Sequence, residues 1–290
     1  MKKRNWLYVL LILVCLAVFY GYQTMDRMRT DTTAPEIKMD AQIPEISVQD
    51  PNTALLQGIT ATDDVDGNVT NSLVVERIDL LDSDGNITVV CAAFDSAGNV
   101  AKADRSARFM DYESPKFTLN EPLAYPYGTS FDILSTVGAQ DVLDGDIQHR
   151  IKATSVDENS IAMLGTHNVW FQVTNSLGDT VSQMFPVDVY DADMYDASLT
   201  LTEYLIYLPK GAAFVPQNYL ATFTLRGEEV NLHGGLPRDY SLRTNGEVKT
   251  QEPGTYAVDF RVTYVDRHET NPEYDKSYTG YSKMIVVVEE

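Results

Sequence analysis

The sequence contains little cysteine and histidine, and this scarcity excludes several classes of protein. Two of the 290 residues are cysteines, and Cys15 lies within an apolar stretch, so a disulfide framework is not expected. Cys91 lies in a strand pattern and is expected to be a small buried side chain. The four histidines lack the spacing of metal ligands: His149, His167, His233 and His268. The chain also lacks Gly-x-Ser-x-Gly, phosphate-loop and His-Glu-x-x-His motifs, so we do not expect an enzyme.

Basic residues are also scarce. The chain has 22 lysines and arginines against 42 aspartates and glutamates, which gives a net charge of −20. Without Lys2, Lys3 and Arg4 the count is 19 against 42, and the net charge of the remainder is −23. Such a surface repels nucleic acids and anionic membranes and favours solubility and cations. We therefore expect no nucleic-acid partner. The negative charge has two possible explanations, ordinary solvation of the protein surface and cation binding.

One long apolar run is present, near the N-terminus. Residues 6–22 are apolar or aromatic apart from one glycine, and Lys2-Lys3-Arg4 precedes them. At 1.5 Å per residue the run is just long enough to cross a bilayer, and a basic flank favours the cytoplasm. A cleaved signal peptide needs a small-x-small site, whereas residues 19–23 are bulky. We predict a single-pass anchor in the cell membrane over residues 1–24, with a cytoplasmic N-terminus, a linker over residues 25–33 and extracellular domains beyond.

The remainder of the chain contains a duplication. Three landmarks occur twice in the same order, about 80 residues apart, which is too long a period for a solenoid. In the first repeat they are PEI at 35–37, ATDDVDGNVT at 61–70 and FDSAGN at 94–99. In the second they are PKF at 115–117, AQDVLDGDIQ at 139–148 and TNSLGD at 174–179. The spacing predicts two independently folded modules, over residues 34–110 and 111–191.

Short β-branched and aromatic runs bounded by turn residues indicate an all-β chain. Four examples lie at residues 87–94, 168–174, 256–263 and 284–288. Regular turn signals between such runs are typical of β-sandwiches. The last two runs predict a third, divergent sandwich over residues 192–290. The fold expected is therefore a series of tandem Ig-like β-sandwiches after an N-terminal transmembrane helix.

The first repeat carries three segments that resemble bacterial Ig-like surface domains related to hyalin repeats: DTTAPEI at 31–37, ATDDVDGNVT at 61–70 and DSAGN at 95–99. The resemblance continues more weakly to residue 191. It implies a bacterial cell-surface protein in which the modules are non-enzymatic spacers or adhesive units.

The acidic turn of the first repeat is a candidate metal site. Asp63, Asp64 and Asp66 precede Gly67, a residue that permits positive φ, so their oxygens can converge on one side of a tight turn. Carboxylate oxygens are the ligands that Ca²⁺ prefers. The commonest reason for this spacing at a bend is the Asx turn, in which aspartates accept hydrogen bonds from their own backbone.

The second repeat offers a larger candidate set. In an Ig-like topology its acidic turn, its Asn175 turn and the chain entry lie at one end of the domain. Ca²⁺ at this end would stiffen the joint between the domains. The predicted ligands are Asp111, Glu113, Asp141, Asp144 and Asp146. A second acidic stretch, residues 188–196, lacks a matching turn and is expected to be solvated charge.

Two functions fit these features. One is a membrane-anchored adhesion module or spacer stalk whose third domain binds a protein or carbohydrate through its tyrosines. The other is an accessory subunit of a membrane or envelope complex that binds other envelope proteins. Tyrosine also suits half-buried strands, so its abundance does not by itself establish recognition. The tyrosines concerned are Tyr204, Tyr207, Tyr219, Tyr240, Tyr256, Tyr264, Tyr274, Tyr278 and Tyr281.

Overall fold

A computed structural model describes residues 2–29, 31–79, 81–155, 163–268 and 272–290. The chain forms two compact units, Met1–Tyr112 and Glu113–Glu290. Each unit is described by itself below.

The first unit begins with a single helix, α1, at Lys2–Arg29. From Tyr8 to Tyr22 every side chain of this helix is exposed. The side chains of the predicted basic flank, Lys2-Lys3-Arg4, lie outside the described residues. Within the part of the chain that the structure describes, no helix has both the length and the apolar character needed to span a membrane.

The rest of the first unit is a sandwich of two sheets. One sheet has the order β1-β3-β4 and the other the order β2-β7-β6-β5, with β2 parallel to β7. The first two strands after α1 therefore lie in different sheets. The strands are β1 (Glu36–Met39), β2 (Glu45–Ile46), β3 (Ile59–Asp63), β4 (Gly67–Asn68), β5 (Val74–Asp79), β6 (Asn86–Phe94) and β7 (Val100–Phe109).

Side-chain alternation explains how these strands close a core. In β3, Ile59, Ala61 and Asp63 point inward while the residues between them are exposed. Strand β6 is central and buried along most of its length, which suits its run of small and β-branched residues. Cys91 within it is fully buried and free, as expected, and burial raises the pKa of its thiol.

The second unit begins by repeating the first sandwich strand for strand. One sheet has the order β11-β10-β8 and the other β12-β13-β14-β9, with β9 parallel to β14. The predicted duplication is therefore present in the fold. The elements are β8 (Lys116–Leu119), β9 (Ala124–Pro126), the short helix α2 (Ile133–Thr136), β10 (Val137–Asp141), β11 (Gly145–Asp146), β12 (Lys152–Ser155), β13 (Gly165–Thr174) and β14 (Thr180–Tyr190).

The remainder of the second unit is a sheet around two long strands. Its order is β18-β17-β15-β21-β20-β19, and β16 pairs in parallel with β21. Its strands are β15 (Ala197–Leu201), β16 (Leu205–Leu208), β17 (Leu220–Leu225), β18 (Glu228–Asn231), β19 (Tyr240–Asn245), β20 (Gly254–Asp266) and β21 (Lys276–Val288). The run predicted as a strand at residues 256–263 lies within β20, where Val258, Phe260 and Val262 are buried.

Strand β21 supplies side chains to two hydrophobic cores. Ile285 and Val287 belong to the core of the second repeat, whereas Met284 and Val286 belong to the core of the last sheet. This sharing explains why residues 113–290 form one compact unit. The mostly-β class and the sandwich architecture of the two repeats are confirmed. The described strands of the predicted third sandwich form one seven-stranded sheet, and the boundary predicted at 191/192 stays a prediction.

Candidate functional site

Three carboxylates converge at one end of the first unit. Asp31 lies ahead of β1, Asp63 ends β3, and Asp95 follows β6. One oxygen from each of the three lies within 4.8 Å of the other two. The three residues are distant in sequence, and the sandwich topology brings together the chain entry and two turns.

Asp63 is the most buried member, with 8% of its surface exposed. Its Oδ1 accepts hydrogen bonds of 2.9 Å from the backbone amides of Val65 and Asp66, which is the Asx turn that the sequence suggests. Its Oδ2 is buried and has no hydrogen-bond partner among the described residues. Buried polar atoms are rarely left without a partner, so this oxygen requires an explanation.

Asp31 repeats this division of roles. Its Oδ1 accepts a hydrogen bond from the amide of Thr33, and its Oδ2 is also buried without a described partner. Asn99 holds the site together, because its side-chain amide donates to the Asp31 carbonyl at 3.2 Å and to Asp95 Oδ2 at 2.7 Å. Desolvation raises the pKa of the Asp95 carboxyl. Hydrogen bonds from Asn99 and from the amides of the turn lower that pKa by more, so the net pKa of Asp95 lies below its usual range.

The site has no described cationic side chain to balance it. The ion pairs of the first sandwich join other residues, namely Lys38 with Glu36, Arg77 with Asp79, Lys102 with Glu76 and Arg105 with Asp40. Two unit charges about 5 Å apart repel by roughly 3 kcal/mol at an effective dielectric constant of about 20. That repulsion is large against a folding free energy of about 5–15 kcal/mol.

At the corresponding end of the second repeat, both oxygens of the buried aspartate have hydrogen-bond partners within the protein. Asp141 is 7% exposed, and its Oδ1 closes the same Asx turn through the amides of Leu143 and Asp144. Its Oδ2, however, accepts a hydrogen bond of 3.2 Å from the side-chain amide of Asn175. Asn175 occupies the place that Asp95 has in the first repeat, so an amide donor replaces a third acidic oxygen.

Both repeats tie the acidic turn to the neighbouring hairpin in the same way. Asp66 accepts hydrogen bonds from the amide and hydroxyl of Ser96, and Asp144 accepts the same pair from Ser176. Asp144 also forms an ion pair of 2.7 Å with Arg150. Desolvation raises the pKa of Asp144, but the bonds from Ser176 and the charge of Arg150 lower it below its usual range.

The other predicted ligands have separate partners. Asp64 is exposed, and Asp146 accepts a hydrogen bond from the Gln148 amide. Glu113, in the second unit, forms an ion pair with Lys116. In the first unit, Asp111 accepts hydrogen bonds from Ser47 and Val48, which lower its pKa. Among the described residues, the convergent carboxylate group contains Asp63 and none of the other predicted ligands. The five-residue calcium set spans both units and stays a prediction.

Most tyrosines of the last sheet pack against hydrophobic cores. Tyr278 belongs to one core, Tyr207 packs against the other, and Tyr274 is 64% exposed. Partly buried tyrosines that pack against the core of the last sheet are Tyr204, Tyr219, Tyr240, Tyr256 and Tyr264. The strand-packing interpretation thus accounts for most of them.

One expectation about the stretch 188–196 is wrong. Asp188 is largely buried and forms an ion pair of 2.6 Å with Lys283, which is 2% exposed, and it also accepts a hydrogen bond from Tyr281. Desolvation and the carboxylates of Asp188 and Asp259, to which the Tyr281 hydroxyl donates, raise the pKa of Tyr281. Asp191 and Asp193, in contrast, are exposed as expected. A buried lysine on β21 requires a buried carboxylate, and sequence spacing alone does not reveal that partner.

Comparison with known proteins gives one sequence relative and several remote structural likenesses. No family model matches the chain. An uncharacterised 81.3 kDa protein of Acholeplasma phage L2 is 45% identical over 128 residues, which are 44% of this chain and 16% of the phage protein. The chain therefore matches only a small part of that relative's length.

The structural likenesses include proteins of Clostridium perfringens and Drosophila. The M60 catalytic domain with two CBM51 domains of Clostridium perfringens ZmpB is 10% identical, with a TM-score of 0.24 over 90% of this chain and 43% of that one. Drosophila N-cadherin EC1-4 is 13% identical, with a TM-score of 0.22 over 89% of this chain and 76% of that one. Likenesses this remote carry no argument about activity.

Proposed function

We propose that this chain is a non-catalytic bacterial surface protein whose tandem sandwiches serve as a spacer or adhesion module. The observation that carries the proposal is the strand-for-strand repetition of one sandwich, with each acidic turn tied to its hairpin by a paired serine. Modules of this kind add length and rigidity, which suits a stalk. Kinship with hyalin repeats is part of the same proposal and rests on the segments at 31–37, 61–70 and 95–99.

Attachment to a membrane through α1 is the second part of the proposal. Its support is the apolar run at 6–22 and the exposure of every side chain from Tyr8 to Tyr22. An apolar surface of this length is covered at low cost by lipid. The orientation proposed, with the N-terminus in the cytoplasm and the sandwiches outside, rests on the basic flank.

Membrane fractionation tests this attachment. The full chain is expressed in a bacterium, and membranes are washed with alkaline carbonate. The parent chain should stay with the membrane, and a variant with Leu10, Leu11, Ile12 and Leu13 changed to asparagine should be released. Val65→Asn, which changes an exposed apolar residue in a turn, is the matched control and should behave as the parent does. A parent chain recovered in the soluble fraction would refute the attachment.

A spacer and a subunit of an envelope complex differ in their partners. Because the tyrosines of the last sheet mostly pack inward, the structure favours a spacer over a module that recognises ligands through those rings. Crosslinking in intact cells, followed by identification of the captured proteins, distinguishes the two. Reproducible capture of particular envelope proteins would support the subunit interpretation instead.

A further inference from the structure

We propose that Asp31, Asp63 and Asp95 bind one Ca²⁺ ion at the entry end of the first sandwich. Two independent observations lead to this site. The three carboxylates each direct one oxygen into a space 4.8 Å across, and the Oδ2 atom of Asp63, a residue more than nine-tenths buried, has no partner in the described chain.

The chemistry of the donors selects the kind of cation. All three ligands are carboxylate oxygens, and hard cations such as Ca²⁺ and Mg²⁺ prefer such ligands over nitrogen or sulfur. Two oxygens on opposite sides of Ca²⁺ lie about 4.6–5.2 Å apart, since each Ca–O distance is about 2.3–2.6 Å. Oxygens that lie within 4.8 Å of one another are close enough to approach one such ion together. Mg²⁺ binds at about 2.0–2.1 Å and demands near-ideal octahedral geometry, whereas Ca²⁺ accepts flexible geometry, so oxygens contributed by the chain entry and two turns favour Ca²⁺.

The hydrogen bonds around the site leave suitable oxygens available. In Asp31 and in Asp63 the Oδ1 atom is used by a local turn, whereas the Oδ2 atom is not. Asn99 positions Asp95 by donating to it from both its backbone and its side-chain amide. The arrangement is therefore held in place by the protein before any ion binds, which lowers the cost of binding.

The second repeat supplies an internal control for this assignment. At the matching place Asn175 donates to Asp141 Oδ2, and that carboxylate has no need of a cation. The acid and the amide exchange places in the two turns: the first repeat has Asp95 and Asn99 where the second has Asn175 and Asp179. Calcium would thus join the segment that follows α1 to the two turns of the first sandwich, and it would fix how the chain enters that domain. The site does not depend on the function proposed above, because a spacer, an adhesin and a complex subunit would each retain it.

Calorimetric titration of the full chain in detergent tests the site. The protein is stripped with EDTA, dialysed, and titrated with Ca²⁺ and separately with Mg²⁺, each up to about 10 mM, above the range of about 10⁻⁴–10⁻³ M typical of extracellular calcium modules. We expect one Ca²⁺ per chain, weaker binding of Mg²⁺, and a rise on the order of 5 °C in the melting temperature of the first sandwich. The absence of Ca²⁺ binding, or tighter binding of Mg²⁺, would overturn the proposal.

Two variants decide which residues bind the ion. Asp95→Asn puts at this position the amide that Asn175 supplies in the second repeat, so it should abolish Ca²⁺ binding and, without Ca²⁺, melt at a higher temperature than the stripped parent. Asp64→Asn removes an exposed charge from the same turn and should bind Ca²⁺ as the parent does. Equal binding by Asp95→Asn and the parent, or equal losses in the two variants, would contradict the assignment. If Asp95→Asn does not fold by circular dichroism, Asp31→Asn provides the same comparison.

Discussion

The two repeats share strand order and turn chemistry, yet they differ in how each balances its buried aspartate. In the second repeat, Asn175 donates to Asp141, so both oxygens of that buried carboxylate have hydrogen-bond partners. In the first repeat, Asp95 stands in that position, and Asp63 keeps an oxygen without a described partner. Exchanging a side-chain amide for a carboxylate therefore changes a self-contained turn into one that needs a cation.

The same comparison shows which features the fold itself requires. Both repeats keep the Asx turn, a glycine with positive φ after it (Gly67 at 73° and Gly145 at 70°), and the pair of bonds to a serine. These features shape the turn. The amide or carboxylate that faces the buried aspartate is not needed for that shape, so it is free to determine whether the end binds a cation.

The largest effect is expected when the second repeat is given the acidic residue of the first. Asn175→Asp places a second carboxylate against Asp141 at a position only 5% exposed, and it removes the donor. We expect a loss of about 3–5 kcal/mol in unfolding free energy, as for a buried charge without a partner. Urea unfolding of the full chain measures it.

Asn168→Asp is the matched control, since it adds the same charge at an exposed position of β13. It should change the stability by no more than about 0.5 kcal/mol. Comparable losses in the two variants would show that added charge alone matters, and that the amide of Asn175 has no special role.

Alkaline pH provides a test confined to the second unit. The hydroxyl of Tyr207 accepts a hydrogen bond from the Phe117 amide at 2.9 Å and donates one to its carbonyl at 3.2 Å. Burial, partly opposed by the hydrogen bond with Phe117, raises the pKa of Tyr207 to about 12. A raised pKa means that the stability from this group is complete below the unfolded value of about 10 and is lost as pH rises from about 10 to 12.

The expected loss over that interval is about 2 kcal/mol. Tyr207→Phe should lessen the dependence, because phenylalanine has no proton to release. Unfolding free energies at pH 9 and pH 11.5 for the parent and the variant provide the measurement. Parallel curves for the two proteins would exclude Tyr207 as the group responsible.

The smallest effect concerns the bonds to serine. Asp144→Ala removes the bonds to Ser176 and the ion pair with Arg150, and it should cost about 2 kcal/mol. Asp66→Ala removes bonds to Ser96 from an exposed aspartate and should cost about 1 kcal/mol. Chemical denaturation of both variants gives the difference. A larger loss of unfolding free energy in Asp66→Ala than in Asp144→Ala would contradict the stabilising role assigned to the ion pair with Arg150.

Sequence patterns predicted the repeated sandwich well but identified only part of the candidate site. Local rules sufficed for the Asx turn at Asp63 and for the alternation in β3, because both depend on neighbours in sequence. Asp31 and Asp95 were not predicted as ligands, since their approach to Asp63 depends on how two sheets close around a core. The signal was nevertheless present: aligning the repeats places Asp95 opposite Asn175 and Asn99 opposite Asp179, so the acid and the amide exchange places and only the first repeat has a carboxylate next to its buried aspartate.

The buried pair Lys283 and Asp188 shows a second limit of sequence reasoning. A run of aspartates from 188 to 196 is expected to be solvated, and most of it is, but the register of β14 directs Asp188 toward a lysine on β21. Partners almost a hundred residues apart are set by the packing of the last sheet against the second repeat. No local pattern around Asp188 distinguishes it from its exposed neighbours.

The central claim is that the first repeat binds Ca²⁺ at its entry end and that the second repeat balances the same end with an amide. Anomalous diffraction from crystals of the full chain grown with Ca²⁺ tests both halves in one map. The account predicts a calcium peak about 2.4 Å from oxygens of Asp31, Asp63 and Asp95, and none beside Asp141. A peak beside Asp141, or the absence of one among the three aspartates of the first repeat, would contradict it.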